Sequence, residues 1–171
     1  MKRWLPFILP FSAVLLGGLL VFVAKAWLFG RTPPAEVPWV PYAELDVNSE
    51  YVRTSGMAHY GVVVEQFAPG NLLRPEERFW LYPLTEPYDT AEGVVRVMVK
   101  SEVPPEELVT YELMTVEGWL SRATPHTVSY DVEVSMGQVS DYYFSDQMLL
   151  LEAVTVEPGL DPRAEPDSVE R

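Results

Sequence analysis

Between Trp4 and Ala24 no residue carries a charge. Wound as a helix at roughly 1.5 Å per residue, such a run is about 30 Å long, the depth of one hydrocarbon core. A single segment crossing lipid must satisfy its own backbone, so a helix is the form this stretch has to take. Trp4 and Trp27 stand where interfacial aromatics belong. Pro6 falls in the first turn and is tolerated, while Pro10 should kink the helix. Residues 1–31 are therefore expected to form an N-terminal transmembrane anchor. Ala24-Lys25-Ala26 also has the small-x-small form of a signal-peptide cleavage site. The length of the apolar run and its continuation through Trp27-Leu28-Phe29 favour an uncleaved helix. Ala13 and Gly17, beside Gly18, make a small-xxx-small stripe of the kind that lets membrane helices approach closely. They are candidate interface residues.

The formal net charge of −13 conceals two different objects. Residues 1–31 contain four basic residues and no acidic one, whereas the remainder carries a net −17. Lys2 and Arg3 precede the apolar run and Lys25 and Arg31 follow it, so the positive-inside bias is slight. The short leader favours a cytoplasmic N-terminus, with the acidic part outside the inner (cell) membrane. An acidic domain argues against nucleic acid as a ligand, since phosphate binding needs a basic surface. It suits a basic soluble partner drawn in by electrostatic steering. The chain has no cysteine, which removes disulfides and thiolate metal sites.

Residues 32–41 carry prolines at 33, 34, 38 and 41, and so predict an extended, semi-rigid spacer. Trp39 within it is a further candidate contact, with headgroups, the domain or a partner as its possible surroundings. From 42 to 157 the pattern turns to strands. Val95, Val97 and Val99 alternate with Arg96, Met98 and Lys100, and Val128, Tyr130, Val132, Val134 and Met136 alternate with polar residues. Further strands are expected at Tyr51–Met57, Tyr60–Phe67, Phe79–Leu84, Thr115–Leu120 and Met148–Val156, the last buried on both faces. Pro104-Pro105-Glu106-Glu107 predicts a short helix from Pro105 to about Glu112, and Pro75-Glu76-Glu77 a second helical turn. The fold class expected is mainly β, a small OB-fold-like barrel with one short helix, with a β-sandwich as the alternative. The tail 158–171, acidic and proline-containing, is expected to be disordered.

The stretch from Val94 to Leu120 (VVRVMVKSEVPPEELVTYELMTVEGWL) resembles the middle of an OB-fold: a strand, a proline-started helical segment, then a strand ending V-x-G-x-L. Single-pass bacterial envelope proteins with an outside OB-fold, such as the haem chaperone of cytochrome c maturation, are similar in layout. In that family a His and a Tyr four residues apart, just after the barrel, hold haem. His126 and Tyr130 have that spacing but precede the final strand, so haem binding is not carried over and no cofactor is expected.

The inventory for catalysis is thin. His59 and His126 are the only histidines, no HExxH spacing exists, and no GxSxG, P-loop or GxGxxG occurs. The acidic pairs Glu106-Glu107 and Asp141 with Asp146 do not follow EF-hand spacing. No catalytic or metal residue is assigned. Tyr142, Tyr143 and Phe144 form a better lead. Adjacent aromatics on a strand face opposite ways, so at least one should lie outside the core, next to acids, as a candidate docking patch. Two functions follow. One is a non-catalytic accessory or assembly subunit of an envelope membrane-protein complex. The other is a periplasmic carrier or chaperone for a small ligand in the barrel mouth.

Overall fold

The computed structural model describes residues 31–68, 76–105, 109–125, 127–139 and 141–164. The chain divides into two compact units, Met1–Pro34 and Ala35–Arg171. The expected anchor, with Ala13, Gly17 and Gly18, lies outside the described residues. Among the described residues no helix is long and apolar enough to cross a membrane.

The second unit is mainly β, with strands β1 (Tyr51–His59), β2 (Val64–Ala68), β3 (Glu77–Thr85), β4 (Val94–Ser101), β5 (Tyr111–Arg122) and β6 (Tyr143–Pro158). One helix, α1 (Tyr130–Val139), connects β5 to β6. The strands form a single sheet in the order β1-β5-β6-β4-β3-β2, and β1 also pairs with β3, Met57 opposite Thr85 and Ala58 opposite Leu84. That extra pairing closes five strands into a ring and leaves β2 outside it, rather than stacking two sheets as a sandwich would. All pairings are antiparallel except β4 with β6.

Two glycines permit the closure. A Cβ on Gly56 would stand 2.4 Å from the Thr85 carbonyl oxygen, at the β1–β3 seam. A Cβ on Gly118 would stand 2.2 Å from the Glu152 carbonyl oxygen, where the β5–β6 register shifts. Both positions need the bare backbone.

Strand alternation sorts the apolar residues into two cores. Val52, Ala58, Tyr82, Leu84, Val97, Val99, Met114, Val116, Leu120, Leu149 and Leu151 come from all five ring strands and pack together, so they fill the ring. Leu81, Val95, Met98, Met148 and Leu150 point the other way, and Val128, Val132 and Met136 cover them. Four successive buried residues, Met148–Leu151, thus feed both cores, as the apolar run predicted.

The second valine-rich alternation does not form a strand. Among the described side chains of this stretch Val128, Val132 and Met136 are buried, four apart; that spacing is the helical one, with Val128 just ahead of α1 and Val132 and Met136 on one face of it. Asp131 and Glu133 in the first turn and the Ser129 carbonyl, which accepts the Val132 N–H at 3.0 Å, start it. Tyr130 therefore opens α1 instead of lying on a strand face. The helix expected at Pro105–Glu112 is also corrected. Val109 and Thr110 are not helical and β5 already begins at Tyr111, while residues 106–108 lie outside the described set. Of the helical turn expected at Pro75-Glu76-Glu77, Glu76 is not helical and Glu77 starts β3, while Pro75 lies outside the described residues. The register with β1, from Tyr51 opposite Trp119 to His59 opposite Tyr111, draws the β5 segment into the sheet from its first residue.

Neither end of the domain is free in the way its composition suggested. In the spacer, the Val40 N–H donates to the Arg53 carbonyl at 3.0 Å, and the Arg53 N–H donates to the Pro38 carbonyl at 2.9 Å. Trp39 accordingly bridges to β1, with the Arg163 guanidinium 5.2 Å from its ring centre. At the other end, residues 159–164 stay on the domain. The Gly159 N–H donates to the Leu113 carbonyl at 2.7 Å, and Asp161 is buried. Only residues 165–171 of the tail lie outside the described set.

Candidate functional site

Two polar centres organise the surface around the ring. The first gathers on Arg53, on the outward side of β1. Its Nε meets Asp161 Oδ2 at 2.9 Å, its Nη2 meets Glu157 Oε2 at 2.6 Å, and its Nη1 lies 3.5 Å from Glu117 Oε2. Arg163 Nε reaches the other oxygen of Asp161 at 2.8 Å. The Arg163 and Arg53 guanidiniums hold the Asp161 carboxyl well below the usual carboxylate range. Ser55 Oγ accepts the Asp161 N–H at 2.9 Å and shares a 2.7 Å hydrogen bond with Thr115, whose hydroxyl donates to the Gly159 carbonyl at 3.0 Å. Each charge has a partner of opposite sign, three carboxylates against two guanidiniums, and this centre fastens the spacer and residues 159–163 to β1.

The second centre is His59, buried at the end of β1. Its Nε2 lies 2.9 Å from Thr85 Oγ1 and 3.1 Å from the Asp89 carbonyl, which can only accept, so Nε2 carries the proton. Thr85 donates to the same Asp89 carbonyl at 2.7 Å. Nδ1 is then the acceptor for the Tyr142 hydroxyl. Burial pushes the His59 pKa down and the Tyr142 pKa up, so the neutral pair is the resting form. Asp89 is presented by a tight turn in which its N–H donates to the Glu86 carbonyl at 3.0 Å and Tyr88 adopts φ +66°. A tyrosine in the left-handed region is strained, and the turn keeps it there.

The consequence of this centre is felt one residue further on. With Tyr142 drawn inward, strand alternation turns Tyr143 outward, where it is 65% exposed. Glu92 Oε2 accepts the Asp141 N–H at 2.9 Å, and the Gly93 carbonyl accepts the Tyr143 N–H at 2.9 Å, fixing the start of β6. Val94, the β4 partner of Tyr143, is 64% exposed. Beyond this point β6 bulges: its register with β4 jumps from Val95 opposite Phe144 to Val97 opposite Leu149. Bulges of this kind re-aim side chains and often adjoin functional surfaces.

Three depressions meet around the bulge. One of about 320 Å³ lies between α1 and the strand start, lined by Glu133, Gly137, Asp141, Tyr142, Tyr143 and Phe144. A second of about 300 Å³, on the other side of Phe144, is lined by Thr124, Val128, Glu133, Ser145 and Met148 among others. A third of about 360 Å³ opens beside Val47, Val94, Arg96, Arg122, Gln147 and Leu149. Among the described residues no group of three metal-ligating side chains gathers.

Of the residues singled out in the sequence, Tyr143 and Phe144 come to this surface, while Tyr142 is only 5% exposed and acts as their internal anchor. Trp39 is elsewhere, on β1 beside Arg163. His126 lies outside the described residues. His59, Arg96 and Arg122 were not picked out as site residues: one histidine and two scattered arginines carry no local signature, and only the ring brings them near β6. The chain matches no protein-family model, and no curated protein matches it significantly.

Proposed function

We propose that the protein is a membrane-anchored, non-catalytic accessory or assembly subunit of a bacterial envelope membrane-protein complex. In this reading the helix expected at 4–24 packs among other helices and the acidic domain docks outside the inner membrane. The observation that carries it is the start of β6. An exposed Tyr143, its backbone held by the Gly93 carbonyl, stands beside exposed Val94 on a surface with three grooves, while the ring interior is filled by side chains of all five strands. An aromatic residue that is preorganised and surrounded by concave surface is the usual anchor of a protein contact. The filled interior favours docking over carriage of a ligand inside the ring. A net −17 domain suits a basic soluble partner as well as fellow subunits. The closer reading of the ring as OB-fold-like is supported by its five-strand closure, although α1 sits between β5 and β6.

Purification of the full chain from native membranes in mild detergent, with identification of co-purifying proteins, tests the proposal. A stoichiometric partner is expected that is retained by a Val154→Glu control and lost from Tyr143→Glu. Recovery of this chain alone, or equal loss in both variants, would overturn it.

A further inference from the structure

The cations of the domain are not used alike. Among the described residues from 35 onward there are six, and four sit in ion pairs. Arg53 and Arg163 hold Asp161, Arg78 Nε meets Glu65 at 3.2 Å, and Lys100 Nζ lies 3.6 Å from Glu152. Arg96 and Arg122 have no ion pair, although the domain carries far more acids than bases. Both are exposed, and both line the same groove. Two exposed guanidiniums that line one groove and are not taken up by the domain's own carboxylates are available to an outside anion.

The strand register explains why they converge. Arg122 lies opposite Leu149 on one flank of β6, and Val97 lies opposite the same Leu149 on the other, with Arg96 just before it. The two arginines therefore straddle the bulged part of β6, roughly two strand spacings apart, about 10 Å between backbones. Arg122 shares the strand parity of Leu120, which points into the ring, and the Arg96 guanidinium lies 5.7 Å from the ring centre of Tyr42, itself part of the interior core. Both thus reach over the mouth of the ring. Such mouths are a common place for ligands.

The rest of the lining sets the ligand. Leu45, Val47, Val94 and Leu149 are apolar, and Val47 and Val94 are exposed there. Asp46 is the acidic residue of the lining, and its carboxylate is turned into its own loop, where Oδ1 accepts the Asn48 N–H at 2.7 Å and Oδ2 faces Asn48 Nδ2 at 3.3 Å. Those hydrogen bonds lower its pKa, so it stays ionised and leaves the groove with one net positive charge. Two forked donors, a net single charge, an apolar wall and about 360 Å³ fit a small monoanion with a hydrocarbon body.

We infer that the groove at the ring mouth is a binding site for an aliphatic carboxylate, held by Arg96 and Arg122 and packed against Val47 and Val94. The site shares Val94 with the Tyr143 docking surface, but its charged contacts are Arg96 and Arg122, so calorimetry without any protein partner tests it independently.

The test is a calorimetric titration of the full chain in detergent with hexanoate, acetate and hexylamine. The Arg96→Gln/Arg122→Gln double variant serves as the blank for partition into micelles. Saturable binding of hexanoate is expected, weaker binding of acetate, and none of hexylamine. Each single variant should weaken hexanoate about tenfold or more, the usual worth of a charged hydrogen bond, while Arg78→Gln leaves it unchanged. Unfolding curves of the variants establish that they fold. Binding of hexanoate that matches the double-variant blank, or that matches hexylamine, would overturn the site. Equal binding of acetate would overturn its apolar half.

Discussion

Arg53 and the Arg96–Arg122 pair are arginines of one small acidic domain with opposite surroundings. Arg53 is closed in by three carboxylates and is the junction of the incoming spacer, β1 and the outgoing tail. Arg96 and Arg122 line the groove at the ring mouth, and among the described residues no carboxylate is paired to them. The difference teaches how to read charge in a domain like this one. A neutralised arginine with several backbone elements around it holds structure, and one kept bare in an acidic field is available to a ligand.

The comparison can be broken most directly at Arg53. Arg53→Met should cost about 2 kcal/mol in urea unfolding, since it leaves Asp161 and Glu157 without their shared partner at a site only part-shielded from water. Next, Ser55→Ala should cost about 1 kcal/mol, because the Asp161 N–H and the Thr115 hydroxyl lose a buried partner. A smaller effect, in pH, sharpens the same point. The pKa of Asp161 is lowered in the folded state, so its contribution is present above the unfolded value near 3.8 and is lost as pH falls below it. The stability gap between the wild-type chain and Asp161→Asn should therefore narrow steadily from pH 5 to pH 2. A gap that stays constant over that range would remove the ionic account of the clamp. The smallest effect belongs to the other region. Arg96→Gln and Arg122→Gln should each change stability by less than about 0.5 kcal/mol. A loss in either variant as large as that of Arg53→Met would erase the distinction.

Much of the ring was legible in the sequence, because a buried strand leaves its period in the residues it buries. Val95, Val97 and Val99 and the run Met148–Leu151 are strands in the structure as they are in the pattern. The stretch from Val128 to Met136 was misread for a definite reason. An alternation of two also contains a spacing of four, and the sequence does not state which period the tertiary contacts use; here, among the described side chains, Val128, Val132 and Met136 meet the sheet. Pro104-Pro105 carries a helix-start signal, yet pairing with β1 makes the segment after it a strand from Tyr111 onward. The docking of residues 159–164 was hidden because it depends on distant partners: Asp161 and Arg53 are 108 positions apart. Of the candidate patch, alternation alone required that one of the adjacent aromatics face outward; that it is Tyr143 follows from the inward turn of Tyr142, which depends on a histidine from β1.

The meeting of residues 38–40 and 159–163 on β1 has a topological consequence. Pro38–Val40 and residues 159–163 leave the domain side by side, with Arg163 against Trp39. The sequence from 36 to 164 is in effect a closed circle, and its natural opening is only one of several possible places to cut. A short peptide joining 164 to 36 would let new termini be opened at the exposed Glu102-Val103 corner while every strand keeps its neighbours.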